Sequence, residues 1–121
     1  MIETVFFILI LLQVKHWYID FVNQSNEEVA HKGIYLNWLG LKHSLKQGIG
    51  TMVCLLPFVY YPEIAIVFGV IDFVLHYHID YFKMHFGNRD IYTKTFWAQL
   101  GLDQMAHQLT YLGIVYALYG L

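Results

Sequence analysis

Four stretches of the chain stay apolar long enough to read as membrane-crossing helices, yet ionisable residues recur inside each. About 20 residues at a rise of about 1.5 Å cover the roughly 30 Å of bilayer hydrocarbon. The first stretch runs from Ile2 to Val22 and the second from Leu41 to Tyr60, with Pro57 expected to kink or shorten it. The third opens at Pro62-Glu63, where proline suits a first helical turn, and reaches Phe82; the fourth runs from Thr95 to Tyr119. None is as purely apolar as a single-pass anchor, as expected when one face of each helix is buried in a bundle. The fold expected is all-α: one domain over residues 1–121, a four-helix up-down transmembrane bundle. Ser25-Asn26-Glu27-Glu28 has the Ser-x-x-Glu pattern of a capping box. It predicts a short interfacial helix between the first two spans, carrying Val29, Ile34, Tyr35 and Trp38. His85 to Lys94 reads as a polar loop, and only a few residues around Tyr60, Tyr61 and Pro62 join the second and third spans.

Composition strengthens the membrane reading. The chain is 58% hydrophobic and 13% charged, about half the charged fraction of a soluble domain. The N-terminal run MIETVFFILILLQV has no basic segment before its apolar core and no small-residue cleavage site, so it reads as a retained helix, not a signal peptide. Cys54, the single cysteine, sits in an apolar run as inert packing. A net charge of −2 without a basic block argues against nucleic acid as a partner.

Charge also suggests an orientation. The seven basic residues are Lys15, Lys32, Lys42, Lys46, Lys83, Arg89 and Lys94. All fall at the end of the first span, the start of the second, the end of the third, or in the loops between. The positive-inside rule then sets both termini outside and the two longer loops in the cytoplasm. Lys15, Lys42, Lys46 and Lys94 read as snorkelling anchors, and Trp17, Trp38 and Trp97 as an aromatic belt. His31 and His85 read as solvated.

The polar residues within the spans are not scattered. His16 and Asp20 stand four apart, as do Asp72 and His76, His76 and Asp80, and Asp103 and His107. That spacing stacks each pair on one helix face. In an up-down bundle these pairs and His43 reach one depth near the cytoplasmic face. Asp72 falls about one turn deeper, and His78 points elsewhere. A central Asp costs about 2.5–3.5 kcal/mol on translocon scales, so something must neutralise these groups. Imidazole with carboxylate is a common ligand set for zinc and also suits iron or manganese. The candidate ligands are His16, Asp20, His76, Asp80, Asp103 and His107, serving one divalent ion or two. Gln24, Asp72 and Gln104 are candidates to orient them, His43 is a candidate general base, and Lys83 a candidate binder of an anionic group.

His16-x-x-x-Asp20-Phe21-x-x-Gln24, Leu41-x-His43, His76-x-x-x-Asp80-Tyr81-x-Lys83 and Asp103-Gln104-x-x-His107 occur in order along nearly the whole chain. In this combination the chain resembles the bacterial and phage membrane family catalogued as domain of unknown function 3307. The resemblance implies a bacterial inner-membrane or phage source and brings no function with it. More loosely, the pattern is similar to membrane-embedded metal-dependent hydrolases and the ceramidase-like group, which place His and Asp on several helices. Those groups have more helices and a serine motif for which only Ser44 offers a stand-in. Three readings follow. One is a metal-dependent hydrolase acting on a lipid-linked amide, ester or phosphoester at the cytoplasmic leaflet. The second is a proton or cation relay in a small transporter or channel. The third is a phage membrane protein binding a host membrane protein. Membrane lipids are partners in each, and a homo-oligomer is compatible with all three.

Overall fold

A computed structural model describes residues 1–120. Helix α1, Ile2–Trp17, continues into a π-helical turn over Tyr18–Val22. Then come α2 (Asn26–His31), α3 (Trp38–Leu55) with a 3₁₀ turn at Leu56–Phe58, α4 (Pro62–Phe86) and α5 (Lys94–Leu118). The described residues are all-α, with no strand.

Local chemistry explains where these elements start and stop. The Ser25 hydroxyl accepts from the Glu28 amide at 3.1 Å, which caps α2. The short helix is briefer than its apolar pattern suggests: it ends at His31, and Ile34, Tyr35 and Trp38 lie beyond it. Leu36 takes a left-handed φ of 62°, which turns the chain toward α3. Asn37 caps α3 by accepting from the Leu39 amide at 3.0 Å, so α3 begins three residues before the expected Leu41. It ends at Leu55, well short of Tyr60, because Pro57 has no amide to donate. Helix α4 starts at Pro62 as expected but runs four residues past Phe82 to Phe86. The Thr93 hydroxyl caps α5 from the Phe96 amide.

The bundle is apolar outside and largely polar inside. Among the described residues, eight hydrophobic ones are buried, against 14 polar or charged ones. Phe6, Phe7, Ile10, Val53, Val67, Leu109 and Tyr116 are half exposed or more on the outer surface. A soluble protein hides such groups, since burying apolar surface is what drives folding in water. The segments Ile2–Val22 and Pro62–Phe86 are each long and apolar enough to cross a membrane. Small residues let the central pair of helices close up. A Cβ on Gly48 would lie 2.6 Å from the Gly69 carbonyl oxygen, so α3 and α4 touch backbone to backbone there. Ile8, Leu12, Leu55, Ala65, Tyr111, Ile114 and Val115 form the apolar core at the end of the bundle where α1 begins.

Candidate metal centre

Above that core lies a layer the sequence does not announce. Lys15 is 8% exposed and does not snorkel; it turns into the bundle. Its ammonium donates to Gln47 Oε1 at 2.8 Å, Tyr111 Oη at 3.0 Å and Asp72 Oδ2 at 3.1 Å. Thr51 donates to the same Asp72 oxygen. The reason is its surroundings: Gln47 from α3, Asp72 from α4 and Tyr111 from α5 converge on the ammonium, and the carboxylate 3.1 Å away holds it inside. Asp72 is thereby tied to Lys15 and Thr51 and touches none of the six candidate ligands.

The next layer holds the His/Asp pairs. The α1 π-turn carries Asp20, α3 carries His43, α4 carries His76 and Asp80, and α5 carries Asp103 and His107. The i→i+5 bond from the Asn23 amide to the Tyr18 carbonyl at 2.8 Å closes the turn that brings Asp20 inward, and such turns recur at functional sites. His43 Nε2 lies 2.8 Å from Asp20 Oδ1, 3.3 Å from His76 Nε2 and 3.5 Å from Asp80 Oδ2. His76 Nε2 lies 3.4 Å from Asp20 Oδ1 and 3.1 Å from Asp80 Oδ2. A tetrahedral ion with arms of about 2.0–2.1 Å separates its ligands by about 3.3 Å, so this four-residue group can hold a metal ion.

Asp80 is shared. Its other oxygen, Oδ1, lies 3.1 Å from His107 Nε2, which is 3.4 Å from Asp103 Oδ1. Asp80, Asp103 and His107 form a second group able to hold an ion, beside the first. The rings of His76 and His107 stack with centroids 3.9 Å apart. His16 stands at the edge with both nitrogens engaged: Nδ1 is 2.8 Å from Tyr111 Oη, and Nε2 is 2.8 Å from Gln104 Oε1 and 3.3 Å from Asp20 Oδ2.

The remaining sequence candidates divide. Gln104 also donates to Asp103 Oδ2 at 3.0 Å, so it links His16 to the second group. Gln24 reaches only the Asp20 backbone carbonyl, at 2.8 Å. Lys83 pairs with Asp103 at 3.3 Å and stays partly open to the outside. His43 sits in the middle of the first group instead of beside it. His78 points away to Tyr35, and His31 and His85 bond backbone carbonyls.

Two buried groups escape sequence reasoning. Lys32, 5% exposed, sets its ammonium 3.1 Å from Asp80 Oδ2. Burial opposes its charge, but Asp80 and then Asp20 outweigh burial and raise its pKa. Glu28, 2% exposed, lies 3.5 Å from His43 Nδ1 and 2.8 Å from Lys46. Burial works against its carboxylate too, yet the Lys46 hydrogen bond and charge hold its pKa below the usual range. Both residues belong to the short connection read as interfacial. The only available signal was the amphipathic face that Glu28 and Lys32 share at four-residue spacing.

The family model described as "Protein of unknown function (DUF3307)" matches residues 7–121. The chain belongs to this family. Every residue of both candidate groups falls inside the DUF3307 match, as do Lys15, Glu28 and Lys32. No curated protein and no solved structure matches the chain.

Proposed function

We propose that this DUF3307 protein is a membrane-embedded metal-dependent hydrolase, with one zinc-type divalent ion held by Asp20, His43, His76 and Asp80. The observation that carries the proposal is the convergence of four ligand atoms from three helical segments, 2.8–3.5 Å apart; any three of them can hold the ion while the fourth yields its position to water. His43 is then a ligand, not the general base. Glu28, behind His43 Nδ1, fits the carboxylate partner that orients a metal-bound imidazole.

Charge balance supports one ion. Asp20, Asp80 and Asp103 face Lys32 and Lys83, leaving one negative charge in excess when the imidazoles are neutral. That excess would favour a divalent ion held between these carboxylates. The chemistry an ion bound there would supply is Lewis acidity, toward a water and toward the scissile bond. Asp103 and His107, 3.4 Å apart beside the ion site, take up and return the proton. Lys83 offers its ammonium to developing negative charge.

The four long helices form the transmembrane bundle, with both termini outside and the site at the cytoplasmic face of a bacterial inner membrane. The apolar outer surface supports this, as do the five cations left once Lys15 and Lys32 turn inward: Lys42, Lys46, Lys83, Arg89 and Lys94. The substrate is a lipid-linked amide, ester or phosphoester reached from that leaflet. A relay across the membrane is less well supported, because beyond Lys15 and Asp72 the interior is closed by Ile8, Leu12, Leu55, Ala65, Ile114 and Val115.

Metal analysis of the full chain, purified in detergent after growth with zinc, tests the proposal. Stoichiometric metal that disappears in the His43→Ala/His76→Ala variant is the expected outcome. A metal-free wild-type protein sinks it.

A further inference from the structure

Lys83 stands between two cavities. The first, about 360 Å³, opens between α2, the end of α4, the loop after it and the start of α5. Its walls are mainly apolar, with Val29, Ile91, Phe96 and Leu100 among them, and its cations are Lys83 and Arg89. No acidic residue lines it. Arg89 donates to the Met84 carbonyl at 3.0 Å and has no carboxylate partner among the described residues. The second cavity, about 370 Å³, lies on the other side of Lys83 and reaches Asp103. The Lys83 ammonium therefore joins an apolar chamber to a carboxylate of the candidate metal centre.

We infer that the first cavity binds a phosphate-bearing single-chain lipid, its phosphate between Lys83 and Arg89 and its chain along the apolar wall. This rests on the hydrolase reading and narrows its substrate class to phosphorylated amphiphiles. Charge complementarity selects the occupant. Among the described residues, Arg89 has no carboxylate partner, Lys83 shares its charge with Asp103 alone, and no acid lines the cavity itself, which favours an anionic headgroup. An apolar wall favours an acyl chain over a polar ligand. A free phosphate would leave the wall without a partner, and a neutral lipid would leave Arg89 without an anion. Bound there, the headgroup lies beside the ammonium that contacts Asp103.

The test is native mass spectrometry of the detergent-purified full chain, with metal content read on the same preparations. The probes are 1-oleoyl lysophosphatidic acid, monoolein with the same chain but no phosphate, and inorganic phosphate. Lysophosphatidic acid should be retained about tenfold better than monoolein, and inorganic phosphate should not displace it. Lys83→Gln/Arg89→Gln should remove that preference. Ala30→Phe, which fills the cavity and keeps both cations, should abolish retention of both lipids. Arg89→Gln alone changes an exposed loop residue without threatening the fold and should reduce the preference about threefold. Equal retention of monoolein, displacement by inorganic phosphate, or indifference to all of these variants overturns the inference. Retained metal without phosphate preference defeats the lipid site alone. Lipid preference in a metal-free protein defeats the hydrolase reading alone.

Discussion

At one end of the bundle, Ile8, Leu12, Leu55, Ala65, Ile114 and Val115 meet with at most 3% of any of them exposed. At the other, His43, His76, His107, Asp80 and Asp103 are buried to within 4%. Burial is nearly equal, and what enforces it differs. Dispersion between close-packed apolar groups is non-directional, so the first end needs only the right volume. The second end needs a specific partner for each charge, because an unpaired ion in a low-dielectric interior costs several kcal/mol. Between them, the Lys15–Asp72 pair is a fully partnered layer. Its lysine and carboxylate satisfy each other, whereas the three aspartates beyond it face only two lysines, Lys32 at Asp80 and Lys83 at Asp103.

Changes at each level separate the two kinds of burial. Lys15→Met should have the largest effect on folding. It leaves Asp72 buried without its cation, at about 3–5 kcal/mol, read as the loss of stability in detergent unfolding. Lys15→Met/Asp72→Leu should recover at least half of that loss; no recovery would mean the pair is not what stabilises the layer. Leu12→Ala should cost about 2–3 kcal/mol in the same assay and leave bound metal unchanged, since it opens a cavity only in the apolar end. A drop in metal content there would show that the two ends are not independent.

Smaller effects sharpen the polar end. Glu28→Gln removes the carboxylate behind His43 and should weaken metal binding about tenfold in a chelator competition, with stability little changed. Unaltered affinity would remove Glu28 from the centre. Lys42→Ala should be nearly silent, within about 0.5 kcal/mol, because its contact with Glu28 is 3.9 Å and its side chain is half in solvent.

The four helices were legible in the sequence because length and apolarity are local properties. So was the gathering of the His/Asp pairs, because four-residue spacing on four alternating helices sets face and depth together. Chain order could not separate Lys15 from Lys42. Both sit near helix ends, yet one meets Asp72 from α4 and the other meets the surface. Nor could it seat His43 inside the first candidate group, since its nearest partners are Asp20, 23 positions earlier, and His76, 33 later. Helix limits went astray where a side chain or backbone contact decided them: the Asn37 cap brought α3 forward, and the left-handed Leu36 separated it from the short helix.

By itself, then, the sequence determined that this chain forms long apolar helices with imidazole and carboxylate aligned on their inner faces, since periodicity and hydropathy belong to each segment alone. Which oxygen of Asp80 meets His76 and which meets His107, and that Lys32 and Glu28 come in from a short connection to join them, only the tertiary structure decided. Those contacts depend on helix rotation and on a π-turn, and small shifts in either exceed the few ångströms within which charges must be paired.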